Sequence, residues 1–116
     1  MDNLTGAFPK ARRLTKSSGF REVFNTDIRS VDSRFLVLAK KNELEFARLG
    51  LAISKRNIKT AVKRNRVKRL ARECFRKHQD KLSGLDVIVV SRKGINISND
   101  CEITQSLYTH LEKICR

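Results

Sequence analysis

Thr60-Ala-Val-Lys-Arg-Asn-Arg-Val-Lys-Arg-Leu-Ala-Arg-Glu-Cys-Phe-Arg-Lys-His-Gln-Asp-Lys-Leu82 is the stretch whose reading decides the fold. It contains neither glycine nor proline, Thr60 has N-cap chemistry, and Gly84 follows as a stop, so the stretch predicts one long helix. Set Arg64 at zero and advance 100° per residue, as about 3.6 residues per turn requires. Val67, Leu70, Ala71, Cys74 and Phe75 then form one apolar stripe between about 240° and 20°, wide enough to lie on a sheet. Asn65, Lys68, Arg69, Arg72 and Arg76 form a second stripe between about 40° and 140°. One face anchors the helix and another presents guanidinium groups. Arginine outnumbers lysine there, and its planar fork suits bidentate contact with phosphate and stacking on bases.

The charge is too one-sided for a merely solvated helix. From Lys55 to Lys81 there are 12 basic residues opposed only by Glu73 and Asp80, a net +10. Like charges four residues apart, such as Arg64 with Lys68 and Lys68 with Arg72, each cost about 0.2–0.5 kcal/mol. A surface helix selected only for solubility would alternate its signs.

Outward from the helix the pattern changes period. Before it, residues 48–54 alternate: Leu49, Leu51 and Ile53 on one side, Arg48, Gly50, Ala52 and Ser54 on the other. This is a strand whose second face, lined by small residues, forms a trough. After the helix, residues 86–91 carry Val87-Ile-Val-Val90, an apolar run suited to a strand buried on both faces. Residues 34–40 read as another strand, 43–46 as a turn, and 28–30 as a weakly signalled short strand. Asn99 with Glu102 three residues on has the form of a capping box. Ile103, Leu107, Leu111 and Ile114 make the apolar stripe of the helix it opens. Near the N-terminus, Thr15 to Ser18 could cap a short helix carrying Phe20, Val23 and Phe24. The expected architecture is α+β: one domain over 1–116, a sheet of about four strands, three helices mainly on one side, and a flexible basic arm over 1–14.

The whole chain agrees with this reading. Its 116 residues suit one domain with a real core, and 40% hydrophobic content excludes a disordered polycation. With 26 Lys+Arg against 12 Asp+Glu the formal charge is +14, which calls for an anionic partner, nucleic acid before membrane or acidic protein. A basic amphipathic helix can also bind calmodulin or an anionic membrane, but here the apolar face is needed for the core. Cys74, Cys101 and Cys115 form no Cys-x-x-Cys pair, which predicts reduced thiols and a cytoplasmic setting. The first residues, Met1-Asp-Asn-Leu4, do not read as a signal peptide, and the apolar run 87–90 is too short to span a membrane.

Lys63 to Arg76 resembles the RNR signature of the bacterial ribonuclease P protein subunit, an Arg-Asn-Arg-x-Lys-Arg-x-x-Arg-Glu-x-Phe-Arg run. Residues 48–56 are similar to that family's strand leading into its Ser-Lys-Lys stretch, Phe20 and Phe24 to its N-terminal aromatic pair, and 86–90 to its next strand. The resemblance covers residues 8–115. It implies an αβββαβα sandwich with a left-handed βαβ crossover, a hand found in roughly 2% of such connections. It implies binding to a catalytic RNA through Arg64, Asn65, Arg66, Lys68, Arg69 and Arg72. It further implies a cleft for the 5′ leader of precursor tRNA, walled by Phe20, Phe24, Lys55 and Arg56 and floored by Gly50, Ala52 and Ser54. Magnesium would be held mainly by the RNA, the protein being a monomer bound 1:1. The family often has a tyrosine on the cleft strand where this chain has Phe35-Leu-Val-Leu38, and a glycine where Lys59 stands.

No residue of the chain itself is expected to be catalytic. A two-metal protein nuclease needs clustered carboxylates, and the acids here are scattered. His78 and His110 lie far apart in sequence. Cys74 and His78, at i and i+4, have a zinc-compatible spacing but share the apolar face, so core packing is the expected role and no metal site is assigned. Phe20 and Phe24 also stand at i and i+4, which serves either a core or a cleft wall; Phe35 and Phe75 are assigned to the core.

Overall fold

The computed structural model describes residues 23–97 and 99–115. The elements are β1 (Ile28–Val31), β2 (Phe35–Lys41), β3 (Arg48–Ala52), α1 (Ala61–His78), β4 (Leu85–Ser91) and α2 (Asp100–Ile114). The strands form one sheet in the order β1-β2-β4-β3. β2 pairs antiparallel with both β1 and β4, whereas β3 and β4 are parallel neighbours joined through α1. The expected 1–14 arm, Phe20 and the expected first helix as far as residue 22 lie outside the described residues, which begin at Val23 and Phe24.

The alternation read in the sequence sorts side chains to the two sheet faces. Phe35, Val37, Ala39, Leu49, Val87 and Val89 meet Val67, Ala71, Cys74 and Phe75 of α1 and Ile103, Leu107, Leu111 and Ile114 of α2 in one core. Both helices therefore cover the same face. Phe35 and Phe75 are fully buried, and each contributes on the order of 1.5–3 kcal/mol by leaving water. β4 is a central strand, as its apolar run predicts. Val87 and Val89 enter the helix-covered core, while Ile88 joins Leu38 and Val23 in a smaller cluster on the opposite face.

The helix ends show where local signals prevail and where they do not. Thr60 caps α1, its hydroxyl accepting from the Lys63 amide at 3.3 Å. Asn99 caps α2, its carbonyl oxygen accepting from Cys101 N at 2.8 Å and Glu102 N at 3.2 Å. The Glu102 carboxylate goes to Arg34 Nη2 at 2.7 Å, so the cap departs from a reciprocal box. α1 ends at His78, one turn before the expected Leu82. Ser83 Oγ donates to the carbonyls of Asp80 (3.0 Å) and Gln79 (3.4 Å), an alternative to the helical ladder, and Gly84 at φ +82° turns the chain into β4. Leu82 is still buried, so the apolar periodicity outlasts the helix.

Candidate nucleic-acid interface

The apolar stripe of α1 is spent on the core, which sets the opposite stripe toward solvent. Val67, Ala71, Cys74 and Phe75 are buried; Asn65, Arg69 and Arg72 are exposed, and Lys68 and Arg76 half-buried. Val62, 80% exposed, lies within this cationic surface. Two members of the run turn back on the protein. Arg64 Nη1 donates to the carbonyls of Ile58 and Lys59, both at 2.9 Å. Arg66 pairs through Nε with Asp100 Oδ1 at 3.0 Å and donates from Nη2 to the Ile97 carbonyl.

The loop between β3 and α1 is pinned, not slack. Ser54 N donates to Ser91 Oγ (3.0 Å), Asn57 N to Ser54 Oγ (3.1 Å) and Asn57 Nδ2 to the Ser91 carbonyl (2.9 Å). Ile53 and Ile58 anchor it in the core, leaving Lys55 and Arg56 exposed between the anchors and Lys59 exposed just after them. Ser54 is thus a brace of the loop rather than bare floor. Because Ala52 pairs with Val90, this loop and the segment after β4 emerge at the same end of the sheet. That segment carries Arg92 and Lys93, both exposed. Sequence reasoning passed over this pair because two basic residues beside a glycine carry no pattern; only strand pairing brings them to the same end of the sheet as Lys55 and Arg56, with Arg92 Nη1 donating to the Asp32 carbonyl at 2.6 Å.

The sheet face away from α1 and α2 is only partly the trough that Gly50, Ala52 and Ser54 suggest. Gly50 is buried, in register with Ile88 and, through it, Leu38. Nearer the Lys55–Arg56 end, Val31, Leu36, Val90 and Ala52 form one cross-strand row over all four strands. Val31 is 54% exposed and the other three half-buried. At the far end Arg48 grips Asp86 with two bonds, Nε to Oδ1 at 2.8 Å and Nη2 to Oδ2 at 2.7 Å, which closes that side. Phe24, 39% exposed, stands just past Val23, which rests on this same face. The floor is therefore apolar and aliphatic, with cations at one rim.

Comparison with known proteins adds a lineage to this geometry. The family model described as Ribonuclease P matches residues 8–115. The chain belongs to the ribonuclease P protein family. It is 46% identical over 101 residues to the ribonuclease P protein component of Marinobacter nauticus, covering 86% of this chain and 76% of that one. It is 40% identical over 110 residues to that of Proteus mirabilis, covering 95% and 92%. A solved structure of the Staphylococcus aureus RNase P protein superposes with a TM-score of 0.80 at 30% identity, covering 92% of this chain and all of that one.

As in the ribonuclease P family resemblance, the RNR run lies on the helix that follows a pinned Ser-Lys-Arg loop. One constellation in this member was not legible in the sequence. His110 of α2 is 1% exposed, with Nδ1 2.7 Å from Ser30 Oγ and Nε2 3.1 Å from Asp32 Oδ2. This assembles a serine, a histidine and a carboxylate, but under α2, with Ser30 and His110 both closed to solvent. The set links the β1–β2 turn to α2. Asp32 Oδ1 also accepts from the amides of Arg34 and Phe35, both at 2.8 Å, and Ser106 Oγ donates to Oδ2. Burial raises the Asp32 pKa, yet the bonds from Ser106, Phe35 and Arg34, with His110, outweigh it and lower it to about 2.

His78 and Cys74 make ordinary packing contacts. His78 Nδ1 lies 3.0 Å from the Cys74 carbonyl and its ring leans on Tyr108 at 4.8 Å. Burial pushes the Cys74 thiol up to about 11. Among the described residues no three His, Cys, Asp or Glu side chains stand close enough to hold a metal, and no helix is long and apolar enough to cross a membrane.

Proposed function

We propose that this chain is the protein subunit of a ribonuclease P: it binds the catalytic RNA and the 5′ leader of precursor tRNA and promotes endonucleolytic removal of the leader. The observation that carries the reading is α1, anchored by Val67, Ala71, Cys74 and Phe75 while Asn65, Lys68, Arg69 and Arg72 line its outer side. Those outward groups, with Arg64 beside them, meet the RNA subunit. Each phosphate contact releases counterions, so the chain relieves repulsion between two polyanions. The leader lies on the Val31–Leu36–Val90–Ala52 row between Phe24 and the Lys55, Arg56, Arg92 and Lys93 rim, with Phe20 as a further leader contact. Aromatic and aliphatic contacts suit leaders of varied sequence, because every base has a stacking face but no hydrogen-bond code is read.

Among the described residues no carboxylates gather into a metal cradle; magnesium is held by the RNA, and the chemistry is done there. On the family likeness, the element order is αβββαβα and the β3–α1–β4 crossover is left-handed. The working unit is one protein per RNA in the cytoplasm.

The deciding experiment measures leader cleavage of precursor tRNA at low magnesium by a bacterial ribonuclease P RNA, with and without the protein. Strong stimulation with the RNA, and no cleavage by protein alone, is the expected result. Tight RNA binding without stimulation would make the chain a structural RNA-binding protein, and metal-dependent cleavage by protein alone would make it a nuclease.

A further inference from the structure

Two arginines from different elements grip the start of α2 in the same manner. Arg34, at the head of β2, donates from Nε to the Asn96 carbonyl at 3.1 Å and from Nη2 to Glu102 at 2.7 Å. Arg66, on α1, takes the next carbonyl, Ile97, and the Asp100 carboxylate. Each arginine thus holds one loop carbonyl and one first-turn carboxylate of α2. Their side chains are only 19% and 31% exposed, against the open side chains of Arg69 and Arg56.

We infer that Arg66 is a positioning residue and not a phosphate ligand: with Arg34 it forms a two-armed clasp that sets the β4–α2 loop against α1. This rests on the reading of α1 as an RNA-binding helix. The clasp does two things for that surface. It fixes the loop that begins with Arg92 and Lys93, so that those cations and the α1 stripe are presented as one preformed surface. It also offsets the charge of the two exposed acids, Asp100 and Glu102, which would otherwise repel phosphate at the cationic end of the domain. The acids belong at the first turn of α2 because the positive end of the helix dipole favours them there. Two planar guanidinium groups let them stay. A fork is required, since each group must reach a carbonyl and a carboxylate together, which an ammonium on a flexible stem does poorly.

The test compares salt dependence of binding to ribonuclease P RNA for Arg66→Gln, Arg66→Lys and Arg69→Gln, with Asp100→Asn alone and combined with Arg66→Gln. A lost phosphate ligand lowers the slope of log K against log salt by roughly 0.7–0.9. Arg69→Gln is expected to do so. Arg66→Gln is expected to weaken binding several-fold with the slope unchanged, because the bound contacts persist while a loosened loop must be ordered on binding. Arg66→Lys keeps the charge but loses the fork, and is expected to behave like Arg66→Gln. In the Asp100→Asn background the Arg66→Gln loss shrinks, since its partner is already gone. A slope that falls for Arg66→Gln as for Arg69→Gln, near-normal binding by Arg66→Lys, and an Arg66→Gln loss that persists with Asp100→Asn would overturn the inference. If neither the parent protein nor any variant binds the RNA, the proposed function fails instead, which the parent control reveals separately.

Discussion

Truncating Lys68 and Arg69 together should weaken RNA binding while leaving the fold intact or firmer. The helix stripe separates the two effects. Lys68 stands four residues from both Arg64 and Arg72, so Lys68→Ala removes two like-charge pairs, each worth about 0.2–0.5 kcal/mol. Arg69→Ala loses one attractive neighbour, Glu73, of similar size and opposite sign. Alanine is also the better helix former by a few tenths of a kcal/mol. The net stability change is between about 0 and +1 kcal/mol, or up to several degrees upward in Tm for a domain this small. Binding moves the other way. Two lost phosphate contacts lower the salt slope by about 1.4–1.8. Between 50 and 200 mM salt, a fourfold change, the affinity gap to the parent protein should narrow by roughly 7–12-fold. Filter binding over a salt series, with thermal melts of the same samples, reads both. A Tm lowered by more than about 5 °C would refute the assignment of these side chains to solvent. An unchanged salt slope would refute their assignment to phosphates.

Other outcomes follow from the same structure. Phe75→Ala, at the fully buried anchor of α1, should cost about 3–5 kcal/mol in denaturant unfolding and take RNA binding down with the fold. Phe24→Ala should weaken leader-bearing precursor by about 1–3 kcal/mol and leave mature tRNA nearly unaffected, as competition binding would show; equal losses would place Phe24 in the core. Asp32 is lowered in the fold from the ordinary aspartate value of 3.8 to about 2, so its charge contributes stability in full above the unfolded value, and that contribution is lost as pH falls through about 2. Asp32→Asn should therefore be less stable than the parent near neutrality, with the gap closing in acid titrations of unfolding. A thiol reagent should modify exposed Cys101 first and buried Cys74, its thiol raised to about 11, only on unfolding, which mass spectrometry of timed samples resolves.

What the chain's own pattern determined is local. The two stripes of α1, the Thr60 and Asn99 caps, the alternation of β3 and the core roles of Phe35 and Phe75 follow from backbone periods and from nearby side chains, so they are legible residue by residue. The thin cover expected over Gly50 and Ala52 is found only at Ala52, which is half-buried, whereas Gly50 is buried. What only the tertiary structure decided is nonlocal. The order β1-β2-β4-β3 brings Arg92 and Lys93 to the same end of the sheet as Lys55 and Arg56, fills the supposed trough with Leu38 and Ile88, and joins Ser30 and Asp32 to His110 of α2. It also turns Arg64 and Arg66 inward: the helical wheel sets them apart from Arg69, at about 0° and 200° against about 140°, but does not name their partners. A long flexible arginine chooses its partner from whatever carbonyl or carboxylate the fold brings within reach, and that choice is written in distances between elements rather than in the spacing along one of them.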